Sequence, residues 1–104
     1  MDVIFFNQKV KNSLYSFEGD SLSKIIKYID LLKTFGHQLR MPYSKMILRN
    51  LYELRVHGQQ EVRIFYCFHH NQAVVVHAFI KKSQKTPQKE IDTALSRINT
   101  LTLV

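Results

Sequence analysis

The 104-residue chain predicts an α+β domain, ordered strand, helix, helix, three strands, helix, with the helices packed on an antiparallel sheet. Three observations carry this reading. Between Leu51 and Ile80, three strand-like runs are separated by Gly58-Gln59-Gln60 and His69-His70-Asn71-Gln72, which read as hairpin turns. Leu22, Ile25, Ile26, Ile29 and Leu32 recur at helical spacing and stop at Gly36. Thr86-Pro87 then opens a last segment with its own apolar stripe.

Each element has a local reason. Asp2 to Phe6 is a short apolar run and reads as a strand. Asn7 suits the cap of a short helix from Gln8 to Tyr15, with Val10 and Leu14 one turn apart. Glu18 to Ser21 is a turn, and Asp20 or Ser21 is the expected cap of the second helix. Gly36 ends that helix because it enters the left-handed region without strain. From His37 to Arg49 the periodicity breaks and Pro42 pushes Met41 out of helical geometry, so an irregular connection is expected, with Met46 and Ile47 beginning to pair into the sheet.

The sheet strands follow. Side chains alternate along a strand, so Tyr52, Leu54 and Val56 take one face and Glu53, Arg55 and His57 the other. Val62, Ile64, Tyr66 and Phe68 likewise share a face, opposite Arg63, Phe65 and Cys67. Ala73 to Ile80 is apolar almost throughout, as a strand covered on both faces would be. Thr86 as cap and Pro87 as first helical residue begin the last helix, with Glu90 and Asp92 near its positive end. Ile91, Ala94, Leu95 and Ile98 are the stripe by which it docks.

The length fits one domain spanning residues 1–104. Fifteen Lys+Arg against eight Asp+Glu give a formal charge of +7, and four of the lysines fall between Phe79 and Lys89 with no acid among them. Such an excess favours a polyanionic partner, because cations that neutralise phosphates release condensed counterions. The single cysteine, Cys67, excludes an internal disulfide, and no stretch approaches the roughly 20 apolar residues of a membrane span. With no secretory pattern at the start, a cytoplasmic protein is expected.

The chemistry these residues support is narrow. The five histidines are scattered and no metal-ligand spacing occurs, so neither metal nor cofactor is expected. Cys67 lacks an activating partner, and no Gly-rich phosphate loop is present. What remains is a cationic set. Cleavage of RNA requires a base for the ribose 2′-OH, an acid for the leaving 5′-oxygen, and cations for the extra charge on the phosphorane. Arg55 and Arg63, rooted in neighbouring strands, suit a phosphate through their planar forks. His57, and Lys82 or Lys85 among other cations, are the candidate proton carriers. Lys81, Arg40, Lys45 and Arg49 add to the basic surface. Glu53 is open to two readings, a base or an ion-pair partner of Arg55.

The run from Leu51 to Ile91 resembles the RelE/HigB superfamily of toxin–antitoxin toxins, in particular its phage-derived, HigB-like branch. The resemblance rests on Gly36 to Pro42, on LYELR at Leu51 to Arg55, on Arg63 to Phe68, and on His77 to Ile91 with its KKSQKTP tail. It implies a microbial RNase-like fold, with two helices on one face of a curved antiparallel sheet and the RNA site on the other. It also implies metal-independent cutting of mRNA within the ribosome. The partners implied are a helix-turn-helix, HigA-like antitoxin, the ribosome with its mRNA, and operator DNA only through the antitoxin.

By the same resemblance Arg63 matches the arginine that acts on the scissile phosphate, Arg55 a basic position on the preceding strand, and Lys82 or Lys81 the basic residue ending the last strand. Two positions depart from the RelE branch. Glu53 stands where a basic residue is usual, and no tyrosine follows Lys85. Proton transfer then falls to Glu53, His57 or Lys85. The alternative is a protein-binding toxin of the ParE kind, directed at DNA gyrase, which would need none of these groups.

Overall fold

The computed structural model describes residues 1–102. Five strands and three helices occur in the order β1 (Val3–Phe5), α1 (Gln8–Tyr15), α2 (Gly19–Phe35), β2 (Ser44–Leu48), β3 (Leu51–Val56), β4 (Val62–His69), β5 (Gln72–Ile80) and α3 (Gln88–Thr102), with a 3₁₀ turn at Gly36–Gln38. The sheet order is β1-β5-β4-β3-β2. The α+β architecture is therefore as the sequence predicts. The sheet is mixed, however: β2 to β5 form an antiparallel meander, whereas β1 lies parallel to β5, pairing Val3 with Ala73 and Phe5 with Val75. A parallel neighbour requires a crossover connection, and here the whole α1-to-β4 stretch supplies it.

Several boundaries shift for identifiable reasons. Asn7 caps α1 as expected, its Oδ1 accepting from the Val10 N–H at 2.9 Å. The second helix begins at Gly19, earlier than a cap at Asp20 or Ser21 would place it, with Glu18 as the cap residue and Asp20 in the first turn. Gly36 ends α2 at φ 51°, in the left-handed region. Ile26 falls outside the buried stripe of Ser21, Ile25, Ile29 and Leu32 and stays exposed. The connection from His37 to Arg49 is shorter than expected, because Ser44–Leu48 pairs with β3 as an edge strand. The last helix starts at Gln88, so Pro87 precedes it rather than opening it.

The sheet separates two cores. On one face Val10, Leu14, Ile25, Ile29 and Leu32 from α1 and α2 meet Leu54, Val56, Val62, Ile64, Tyr66, Ala73 and Val75. On the other, Ala94, with Ile91, Leu95 and Ile98 of α3, covers Leu51, Phe65, Cys67, Val74 and Val76. A β-bulge decides which residues of β5 face α3. Phe65 pairs with His77 but Tyr66 with Val75, leaving Val76 as the extra residue. Beyond it the odd-numbered side chains, His77 and Phe79, turn to the face of Arg63 and Phe65, while Ala78 packs on the other core.

Within the α2-side core, the buried Tyr66 hydroxyl and the Ser44 hydroxyl share a hydrogen bond of 2.5 Å. Burial pushes the Tyr66 phenol up to about 12, against the opposing pull of Ser44. Replacing Tyr66 by phenylalanine leaves the Ser44 hydroxyl buried without this partner. Denaturant titration is expected to show a loss of about 1–2 kcal/mol.

Candidate functional site

The site grows out of the β3–β4 hairpin. Its strands close at Val56 and Val62, and Arg55 lies directly opposite Arg63 in the register. Cross-strand partners share a face, so both guanidinium groups leave the sheet side by side. Glu53, two residues before Arg55 on the same face, sits beneath them. Its Oε1 is 3.7 Å from Arg55 Nε and 3.9 Å from Arg63 Nε. These separations exceed a hydrogen bond, and Glu53 Oε2, Arg55 Nε and Arg63 Nε are buried without hydrogen-bond partners. Glu53 and Arg63 are each only 3% exposed. The pairing is thus electrostatic, and it holds two like charges together in a low-dielectric setting.

Around these arginines opens a cleft of about 650 Å³ lined by Arg55, His57, Glu61, Arg63, Lys81, Lys82, Ser83 and Gln84. Four fixed cations face one lining carboxylate. That carboxylate, Glu61, accepts from Arg63 NH2 at 3.3 Å and meets His57 Nδ1 at 2.6 Å. Partial burial alone would raise Glu61, but the hydrogen bond and charge of His57, followed by those of Arg63, outweigh it and hold its carboxyl below the ordinary value. The lysines are held at the rim by the main chain, where Lys81 N–H donates to the Glu61 carbonyl at 2.7 Å and extends the β4–β5 ladder. The opposite side of the hairpin turn is tied down by α2, with Lys24 Nζ donating to the His57 carbonyl at 3.0 Å.

A depressed carboxylate stabilises the fold above the ordinary carboxylate pKa, and that contribution is lost as pH falls through the folded-state value. Denaturation midpoints of the wild-type chain and Glu61→Gln are therefore expected to differ at neutral pH and to converge under acid conditions.

Of the residues singled out in the sequence, Arg55, Arg63, His57, Lys81 and Lys82 meet in this cleft, and Glu53 braces it from below. Lys81 and Lys82 both line it, so both positions of that register are represented. Four others stand apart. Lys85 is exposed beyond the lining, its carbonyl accepting from the Ser83 hydroxyl. Arg40 donates to the Leu39 carbonyl and lines a separate cavity of about 180 Å³ with His37, Ser44 and Tyr52, on the α2 side. Arg49 is exposed beside Asn50 in the β2–β3 turn, and Lys45 is exposed on the edge strand opposite Glu53. Arg49 is removed because the β2–β3 turn lies at the far end of β3 from the β3–β4 hairpin, and Arg40 because it opens on the α2 side.

The residue that sequence reasoning missed is Glu61. Its signal was present, since it is the sole acid between Glu53 and Glu90, four residues after His57 across a hairpin loop. His77 makes a separate pair with Glu90 of α3 at 2.8 Å, outside the cleft lining. Cys67 lies buried under α3, and burial pushes its thiol up to about 11, which leaves little thiolate at neutral pH. Among the described residues, no group of three or more His, Cys, Asp or Glu converges as metal ligands would, and no helix is long and apolar enough to cross a membrane.

A five-stranded mixed sheet with helices on both faces, in this element order, is the architecture of a RelE-like fold. The particular family follows from the sequence: the family described as "Phage derived protein Gp49-like (DUF891)" matches residues 12–99, and this chain belongs to it. It is a RelE-like family associated with toxin–antitoxin systems. Among curated proteins, none matches the chain.

Proposed function

We propose that this chain is the toxin of a type II toxin–antitoxin pair, HigB-like in kind, and that it cuts mRNA on the ribosome without a metal. The observation that carries the reading is the direct pairing of Arg55 with Arg63, opening with His57, Lys81 and Lys82 onto one cleft. A scissile phosphate resting on the two guanidinium groups would find planar donors for its non-bridging oxygens, and these donors gain strength as charge builds on the phosphorane.

In the step proposed, His57 takes the proton of the ribose 2′-OH as the 2′-oxygen bonds to phosphorus. The bond from phosphorus to the 5′-oxygen breaks, and that oxygen leaves with a proton from the ammonium of Lys81 or Lys82. The products are a 2′,3′-cyclic phosphate and a 5′-hydroxyl end, and water exchange resets both groups. Glu53, buried beneath two arginines, serves as their counter-charge rather than as the base.

The cleft is open and has no deep base pocket, so positioning by the ribosome supplies the alignment that the chain lacks alone. A HigA-like helix-turn-helix antitoxin would neutralise the toxin in the cytoplasm and carry the pair to operator DNA. Primer extension on total RNA after induction tests the reading. Cuts within translated messages are the expected result, whereas intact messages with broken chromosomes would overturn it in favour of a gyrase-directed, ParE-like action.

A further inference from the structure

Glu61 touches three parts of the cleft at once. Its carboxylate meets His57 Nδ1 at 2.6 Å and Arg63 NH2 at 3.3 Å, and its main-chain carbonyl accepts from Lys81 N–H at 2.7 Å. We propose that Glu61 is the positioning residue of the cleft: it holds the His57 ring with Nδ1–H bound and Nε2 free for the ribose 2′ proton, while fixing Arg63 and Lys81 around the same phosphate. This rests on the nuclease reading above and adds to it the group that orients the base.

The physical argument is one of tautomers. A neutral imidazole carries its proton on one nitrogen only, and the partner of that nitrogen decides which. An ionised Glu61 is acceptor-only, so the 2.6 Å contact requires the proton on Nδ1. That leaves the Nε2 lone pair as the basic position. The ionised state agrees with the lowered pKa of Glu61. The remaining charges near His57 are cationic or already paired. Arg55 and Arg63 come from β3 and β4, and Lys81 and Lys82 follow β5. From α2, Lys24 binds the His57 carbonyl and is paired with Asp20 at 3.3 Å. Glu61 is thus the one carboxylate among the residues lining the cleft with the His57 ring.

The test joins spectroscopy to kinetics on the full chain. Long-range ¹H–¹⁵N correlation of ¹⁵N-histidine-labelled protein, with His57→Gln for assignment, reads the tautomer at alkaline pH, where imidazoles are neutral. The Nδ1–H form is expected in the wild type and the Nε2–H form in Glu61→Ala. Glu61→Gln keeps an acceptor oxygen and is expected to retain the wild-type tautomer and more of the activity. In cleavage of ribosome-bound mRNA, His57→Ala is expected to lose on the order of 10²–10⁴-fold. Glu61→Ala is expected to lose roughly 10–100-fold, and the double variant no more than His57→Ala alone, as for residues acting as a unit. Circular dichroism of each variant separates loss of fold from loss of function.

A wild-type His57 in the Nε2–H form or additive losses would overturn the proposal and leave the nuclease reading standing, whereas a His57→Ala variant cutting at the wild-type rate would overturn the proposal together with the base role given to His57. A wild-type protein that cuts no message overturns the nuclease reading itself, whatever the ring tautomer.

Discussion

Arg63→Ala is expected to reduce mRNA cleavage by on the order of 10²–10³-fold, the usual cost of losing one fixed donor to a developing oxyanion. Growth arrest on expression should be relieved in parallel, most completely when Lys82 is also replaced by alanine. The size of the effect follows from position. Arg63 is 3% exposed, its NH1 donates to the Val62 carbonyl at 3.2 Å, and its NH2 binds Glu61, so the guanidinium is fixed before substrate arrives. A donor held in place loses little entropy on binding, whereas a mobile surface arginine must be ordered first. Arg63→Lys keeps the charge and loses the planar fork, and is expected to fall between wild type and alanine. Because the side chain is buried, melting temperatures belong beside the kinetics. A cleavage loss at temperatures where the variant remains folded is the supporting result, and cleavage at the wild-type rate would overturn the role given to Arg63.

Glu53→Gln is expected to cost about 3 kcal/mol of stability, the lower end of what breaking a buried ion pair costs. The lower end applies because the carboxylate lies 3.7 Å and 3.9 Å from its two guanidinium partners, too far for hydrogen bonds. Removing its charge leaves Arg55 and Arg63 facing each other across one register position with no counter-charge beneath. In a chain of this size the expected fall in melting temperature is roughly 12–24 °C. Restoring neutrality in the double variant Glu53→Gln/Arg55→Gln should recover part of the loss, since one repelling cation is then gone. A Glu53→Gln protein as stable and as active as the wild type would show the carboxylate to be idle. A fully stable but catalytically dead one would point instead to Glu53 as the base.

The sequence was most legible where local periodicity acts alone. Val10 and Leu14, or Ile25, Ile29 and Leu32, are spaced for one helical face and are buried together. Tyr66 and Ile64 alternate with Phe65 and Cys67, and the two sets enter different cores. Asn7 and Gly36 mark helix ends by chemistry that depends only on the adjacent backbone. The hairpin at His70-Asn71 was legible for the same reason, as both residues take positive φ in a two-residue turn. Edge strand β2 was only half legible, because exposed Lys45, Met46 and Leu48 give it no buried alternation to read.

In the candidate site the arginines were legible and their brace was not. Arg55 and Arg63 stood out as cations on strand faces. The burial of Glu53 goes with Arg55 and Arg63 meeting over it across the β3–β4 register, which no spacing within β3 encodes. Glu61 read as an ordinary polar residue beside a turn until the hairpin brought it under His57. Lys85, Arg40, Lys45 and Arg49 carried the same charge in the sequence as Lys81 and Lys82, and only the fold separates those that line the cleft from those that do not.

By itself the sequence determined the elements, the apolar face of each and a strongly basic charge balance, because side-chain periodicity, capping and charge are properties of neighbouring residues. Only the tertiary structure decided that β1 joins in parallel, that the bulge at Val76 turns His77 and Phe79 toward α3, and that Arg55 meets Arg63 over Glu53 with Glu61 beside them. Those are matters of register, which turn lengths and packing between distant segments set, so groups far apart along the chain acquire their common cleft only when the sheet has formed.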